Sequence, residues 1–531
     1  MIPGAPGQGQ GDDGAMAENS SPQGESTRQA GDAGTLHYDV VVIGAGPVGE
    51  NVADRAGRTG LSTVIVEAEL VGGECSYWAC MPSKTLLRPG AALAAAKDVP
   101  GLTVSATVDP GPVLAWRDEV TSGWDDAGQV EWLDSAGIAL LRGHGRLVGP
   151  RRVEVTDPDG TRTVVEARYA VAVATGSVPV LPEVPGIVEA APWGSREATA
   201  AEEVPSSVVV VGGGVVACEM ATAYADLGAH VTLLVRHGLL GAAEPFAGEA
   251  VKTSLEELGV DVRLGASPVR VSRDGVGGPV TVTYDDGSGE HDVTAAELLV
   301  ATGRVPRTQD VGLGSVGLTE VGRGLEVDDA MRVRGVEGGW LFAAGDVTGR
   351  VATTHQGKYQ ARVAGDVIAA TFGASPEDGG KSGDGVPVPA TDENRAGAQA
   401  TEPWSRFAAS ADHAAQTQVV FTRPQVAWVG LSERKARDAG LDVRVVEYDL
   451  GAVAGAHVTG KSFAGRVSAV VDEARRVLVG VTFVGPEVGE MLHAATVAVV
   501  GEVPLERLWH AVPAYPTVSE VWLRLLETYG L

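Results

Sequence analysis

Cysteine is nearly absent: the 531 residues contain 3. That excludes a small secreted scaffold held by disulfides and suits a reducing compartment such as the cytoplasm. Aromatic residues are sparse at 5 %, so the core must be built from Val, Ala and Leu. Positive charge is short as well, with 41 Lys and Arg against 69 Asp and Glu and a formal net charge of −28. Such a balance argues against a nucleic-acid or anionic-membrane partner. No apolar run can span a membrane, because the longest, around Val208 to Ala225, is broken by glycines and carries Glu219. The opening stretch MIPGAPGQGQGDDGAMAENSSPQGES lacks the apolar segment of a secretory signal. The pattern suggests no metal site.

Two of the few cysteines, Cys75 and Cys80, fall in one short stretch, GGECSYWACMPSK. Two close thiols in a chain otherwise poor in them point to redox chemistry on sulfur. They follow YDVVVIGAGPVGENVADRAGRTGLSTVIVEAE, which reads as strand, glycine turn, helix and second strand. Gly44 makes the tight turn, Gly46 lets the backbone approach a pyrophosphate, and Gly49 lets the helix pack against the sheet. The helix N-terminus favours the phosphate charge, and Glu67, ending the second strand, is placed to bind a ribose.

The pattern recurs in SSVVVVGGGVVACEMATAYADLGAHVTLLVRHG, with Gly212, Gly214 and Ala217. The interval from Gly44 to Glu67, counted from Gly212, ends on Val235, so the ribose carboxylate is missing and Arg236 and His237 follow. Loss of the carboxylate removes repulsion against a 2′-phosphate, and Arg236 could pair with one, which favours NADPH over NADH. A solvated arginine at a strand end, with NADH still accepted, is the alternative. Each unit is followed by a strand ending in Ala-Thr-Gly, at Thr175 and Gly176 and again at Gly303, and GWLFAAGDV places Asp346 just past an apolar strand.

With these motifs the chain resembles the flavoprotein disulfide reductases of the pyridine-nucleotide type, the group of dihydrolipoamide dehydrogenase, glutathione reductase and mercuric reductase. FTRPQVAWVGLSE, from Phe421 to Glu433, adds to the likeness. The resemblance implies an α/β fold of two Rossmann-like domains, binding FAD and NAD(P)H, and a C-terminal α+β dimerisation domain. Residues 1–36, with too few apolar residues to offset ordering entropy, are expected to be a disordered tail. The FAD-binding domain spans 37–190 and 304–373, and the NAD(P) domain 191–303. A flexible insertion covers 374–414, and 415–531 make a homodimer.

The resemblance also implies a redox-active Cys75–Cys80 disulfide, with Cys80 facing the flavin and Cys75 exchanging with substrate. Residues five apart in a regular helix lie about 8.6 Å apart, beyond the roughly 7 Å a disulfide tolerates. A plain helix between the two is therefore excluded; Cys75 is expected in a loop opened by Gly72 and Gly73, and Cys80 at a helix start. Lys84 and Glu219 match the family's ion pair near flavin and nicotinamide, a simple buried pair being the alternative. Asp346 matches the residue that holds the ribityl chain.

One position departs from the family. Where disulfide-exchanging members carry a histidine before Pro-Thr, contributed by the other subunit, HAVPAYPTVSEVW has Tyr515, with Glu520 retained. Histidine titrates near neutrality and can shuttle a proton to the exchange thiol; a tyrosine near pKa ~10 is a poor base there. Mercuric reductase shares the tyrosine but adds a C-terminal cysteine pair, which LRLLETYGL lacks. Two enzymatic readings stay open: reduction of a disulfide-type acceptor, and reduction of a quinone or small electrophile. A flavin-binding scaffold or sensor without turnover is a third.

Overall fold

The computed structural model describes residues 34–319, 322–374 and 388–531. The tail expected at 1–36 lies almost wholly outside the described residues. Runs of Val and Ile with no polar interruption make strands buried on both faces, as parallel sheets require. The first sheet centres on Thr35–Ile43, flanked in parallel by Thr63–Glu67 and Arg162–Val173, with Ile138–Arg142 and Leu341–Ala343 extending it. Antiparallel strands Arg152–Thr156 and His144–Gly149 complete the far side. Helices Pro47–Gly57 and Thr354–Phe372 lie against this sheet and each other.

A second parallel sheet has the order Asp261–Leu264, His230–Val235, Ser207–Val211, Glu297–Val300, with helix Val215–Asp226 following its glycine turn. An antiparallel sheet of Ser267–Arg273, Val280–Asp285 and Glu290–Ala295 is attached to it. The C-terminal part is a five-stranded antiparallel sheet, from Thr417–Val420 to Val443–Asp449, covered by helices Leu492–Val500 and Val521–Tyr529. In the stretch expected to be a flexible insertion, residues 388–414 are packed. Helix Asp392–Ala400 forms there, and Val388, Ala398, Phe407 and Ala409 join the core of the first sheet. Composition hid this, because a few apolar residues spaced among polar ones suffice to anchor a segment on an existing core. Among the described residues no helix is long and apolar enough to cross a membrane.

Candidate active site

The first glycine turn is shaped by backbone contact. Gly44 has φ +104°, and a Cβ there would stand 2.5 Å from the Ala174 carbonyl oxygen. Gly49 is pressed onto the Gly44 carbonyl, where a Cβ would come within 1.9 Å. Gly46 has the opposite surroundings: a Cβ would meet nothing within 4 Å and would project into a cleft of ≈ 2440 Å³. Glu67, at the end of its strand, accepts a hydrogen bond from Ala45 N–H at 2.6 Å and faces the same cleft.

The cysteine segment is laid directly on this turn. Gly72 N–H donates to the Ala45 carbonyl at 2.7 Å, and a Cβ on Gly73 would reach 2.8 Å from Gly46 Cα. Gly72, in the left-handed region, starts a short helix, Gly73–Tyr77, so Cys75 sits on a helical turn rather than in the expected loop. The structure corrects that point because two glycines at a helix start tighten the chain without opening it. Trp78 and Ala79 then leave helical geometry, and Cys80 begins a new helix, Cys80–Asp98. The break brings together two thiols that a continuous helix would hold apart.

Both thiols are free and half-buried. Cys80 is pulled down to about 6, chiefly by its contact with Cys75, then by Thr354 and the Lys84 ammonium, against the opposing effects of burial and Glu219. Cys75 is pushed up by its contact with Cys80 and by burial. Thr354 Oγ1 lies 3.3 Å from Cys80 Sγ, and the helix N-terminus adds a favourable dipole at Cys80. The two shifts favour a proton on Cys75 and a thiolate on Cys80.

Lys84, one turn on, meets Glu219 of the second glycine-turn helix at 2.8 Å. Glu219 also accepts from Phe421 N–H at 3.0 Å, and the Phe421 ring lies 5.0 Å from Lys84 Nζ. Cys218 beside it is fully buried in the core of the second sheet, its Sγ donating weakly to the Gly213 carbonyl at 3.8 Å. Asp346, Thr175 and Gly176 border the cleft, and Asp346 accepts from Ser177 Oγ at 2.6 Å.

The second turn repeats the first: Gly212 has φ +140° and a Cβ there would press on the Ala301 carbonyl, while Gly214 and Gly303 face open space. These glycines and Arg236 lie outside the main cleft, which their helix enters through Val215, Val216 and Glu219. Arg236 follows strand His230–Val235, exposed, its Nε 3.1 Å from His237 Nε2. Tyr515 is 79 % exposed, and neither it nor Glu520 borders the cysteine cleft within one chain. The Glu520 carboxylate is taken by Arg524 at 2.6 Å and by Ala454 N–H at 3.1 Å.

Several site residues were not legible in the sequence. Glu74, preceding Cys75, bridges Arg196 at 2.9 Å and Arg304 at 2.7 Å. Arg304 in turn donates to Ser177 Oγ at 2.8 Å, so a polar chain links the cysteine segment to Asp346. Thr354 and Lys358 come from a helix far along the chain. No spacing rule ties them to the cysteines.

The cleft suits a dinucleotide. Gly46 leaves room for a pyrophosphate, helices Pro47–Gly57 and Thr354–Phe372 open on it, and Thr353 Oγ1 beside the second N-terminus is buried without a partner. Among the described residues no group of His, Cys, Asp and Glu could hold a metal ion.

A dinucleotide fold that presses its glycine turn against a thiol pair defines a nucleotide-dependent oxidoreductase acting on sulfur. Sequence comparison agrees: the chain belongs to the pyridine nucleotide-disulphide oxidoreductases, matching the family at 38–361 and its dimerisation domain at 417–525. Similar relatives include dihydrolipoyl dehydrogenases of Halobacterium salinarum, at 32 % identity over 92 % of this chain and 95 % of that one, and of Chlorobaculum tepidum, at 33 % over 93 % and 97 %. A mercuric reductase of Staphylococcus aureus is 29 % identical over 91 % of this chain and 81 % of its own. Among solved structures, LpdA of Mycobacterium tuberculosis superposes with a TM-score of 0.75 at 24 % identity, covering 93 % of this chain and all (100 %) of that one. That likeness concerns the fold.

Proposed function

We propose that the protein is an FAD-dependent NAD(P)H reductase of a disulfide-type acceptor, working as a homodimer in the cytoplasm. The observation that carries this reading is the helix break that places Cys75 and Cys80 together on the first glycine turn, beside the Lys84–Glu219 pair. Gly46, Glu67 and Asp346 would hold FAD, which when bound would supply two-electron transfer from NAD(P)H to the Cys75–Cys80 disulfide. Reduction leaves Cys80 as the thiolate, and Lys84, Thr354 and the helix N-terminus hold that charge. Cys75 attacks one sulfur of the acceptor; the acceptor's S–S bond breaks, and the departing thiolate takes a proton. Cys80 then attacks the mixed disulfide at Cys75, releasing the second thiolate and re-forming the Cys75–Cys80 bond. The dihydrolipoyl dehydrogenase relatives support a dithiol–disulfide couple as the substrate class. Arg236 and His237, in place of a ribose carboxylate, support NADPH as the preferred donor.

A second reading, a quinone or small-electrophile reductase, is favoured by one observation. Tyr515 stands where the acid–base histidine is expected, and Glu520, which would orient such a base, is engaged by Arg524. Steady-state NADPH oxidation with lipoamide, glutathione-type disulfides and quinones, in parent and Cys75→Ser protein, separates them. Disulfide turnover lost in the variant is expected; quinone turnover unchanged by the substitution, with no disulfide turnover in the parent, overturns the first reading.

A further inference from the structure

The two thiols meet because the chain leaves helical geometry between them, at Trp78 and Ala79. Pro82 makes some break obligatory. It has no N–H for the Trp78 carbonyl four residues earlier, and in a continuous helix its ring would strike that carbonyl. A proline interrupts a helix without fixing how the two halves sit, and here that is decided by groups from elsewhere in the chain.

Trp124 Nε1 donates to the Tyr77 carbonyl at 3.2 Å and Thr199 Oγ1 to the Trp78 carbonyl at 3.0 Å, taking up groups that a helix end leaves free. Thr199 belongs to helix Ser195–Ala200, and so does Arg196. The Arg196 guanidinium lies over the Trp78 ring, 4.3 Å from its centroid. Its Nε donates to Glu74 Oε1 at 2.9 Å, and its two terminal nitrogens donate to the Glu69 carboxylate at 2.9 and 2.8 Å. Arg196 and Glu74 are both half-buried. A planar guanidinium can serve carboxylates through its edge and a ring through its face together, which an ammonium cannot. One side chain thus spans the cysteine segment from the residue before Cys75 to the break before Cys80.

We propose that Arg196 is a positioning residue for the redox step, acting through Glu74 and Trp78 to keep Cys75 and Cys80 within bonding reach in the reduced protein. This rests on the Cys75–Cys80 disulfide of the reading above. A segment already ordered loses little further freedom when the bond closes, so the clamp favours the linked form. Arg304 also binds Glu74, at 2.7 Å, so removing Arg196 loosens the Trp78 end while the start of the segment stays anchored.

The test is the equilibrium of the holoprotein with reduced and oxidised dithiothreitol, under anaerobic conditions and without nicotinamide. Closing the Cys75–Cys80 bond passes two electrons and two protons to oxidised dithiothreitol, whose S–S bond opens to the dithiol. Acid quenching, alkylation and mass spectrometry give the linked fraction. Arg196→Met should lower the equilibrium constant for closure roughly tenfold, a rise of about 30 mV in midpoint potential. Trp78→Leu, which removes the ring under the guanidinium, should lower it as well, and the double variant should fall no further than the lower single one. Trp78→Phe keeps a ring and should stay near the parent. A pair that only braced the fold would change unfolding stability and leave this constant alone.

An unchanged constant in Arg196→Met or Trp78→Leu, or effects that add in the double variant, overturns the proposal. Should Arg196→Met not fold, the Trp78 variants decide: a weakened Leu beside a parent-like Phe sustains it, and equal values overturn it. A parent that never closes the bond overturns the disulfide reading as well, whereas variants that match a parent that closes it overturn the clamp alone.

Discussion

Lys84 Nζ stands 2.8 Å from Glu219 Oε2, joining the cysteine helix to the helix of the second glycine turn. The glutamate side chain is 4 % exposed and the lysine 35 %. The pair therefore ties the two nucleotide units together at the thiols, and its partners are unequally desolvated.

Removing the lysine leaves a buried carboxylate with only the Phe421 N–H to compensate it. Lys84→Met should lower unfolding stability by about 3 kcal/mol, since breaking a buried pair strands the remaining charge. It should also weaken the Cys80 thiolate, because the ammonium acts to lower that thiol. Thermal or urea unfolding measures the first effect, and a variant as stable as the parent defeats it.

The Cys80 thiol is held below its ordinary value, so its thiolate is present above about pH 6 and lost as pH falls through it. Thiolate ultraviolet absorbance of the reduced protein should show that transition, and Cys80→Ser should abolish it. A single transition at the ordinary thiol value of about 8.5 contradicts the assigned charge distribution.

Two glycines of one turn should fail in different ways. Gly44→Ala forces a side chain onto a carbonyl at φ +104°, costing about 1–3 kcal/mol or more in stability. Gly46→Ala projects a methyl into the open cleft, so the unfolding midpoint should hold while flavin retention falls. Equal loss of stability in both variants would refute this division.

Arg236 is exposed at the end of its strand, next to His237. Arg236→Leu should raise KM for NADPH by roughly tenfold, as loss of a charge-assisted phosphate contact predicts, and leave KM for NADH unchanged. Parallel increases for both donors would remove the arginine from 2′-phosphate recognition.

Tyr515 is exposed, and Glu520 is held by Arg524. Tyr515→His should raise disulfide turnover, a positioned base contributing typically about 10²–10⁴-fold. With Glu520 already engaged, the gain should lie at the lower end and grow when Arg524→Ala is added. No gain in either variant means that proton transfer at this position does not limit the reaction.

The local motifs were legible because each rests on short-range constraint. Gly49 is dictated by backbone contact within one βαβ unit, Gly44 by the positive φ of the tight turn, and Gly46 by the need for open space. The helix break between Cys75 and Cys80 follows from covalent reach, although the short turn carrying Cys75 did not. Glu50, in the first turn of helix Pro47–Gly57 with its Oε1 buried and unpartnered, escaped notice because an acid there ordinarily complements the dipole. The packed residues of 388–414 were obscured by polar neighbours.

Order along the chain, then, determined the two dinucleotide units, the thiol pair and the lone tyrosine in place of a base. Tertiary structure decided the company those groups keep. Thr354, Lys358, Glu219 and Arg304 reach the cysteine segment from distant strands and helices, and their effect depends on distance and burial in space. Electrostatic influence on a thiol is set by the dielectric and the charges around it, and neither is written in the local order of residues.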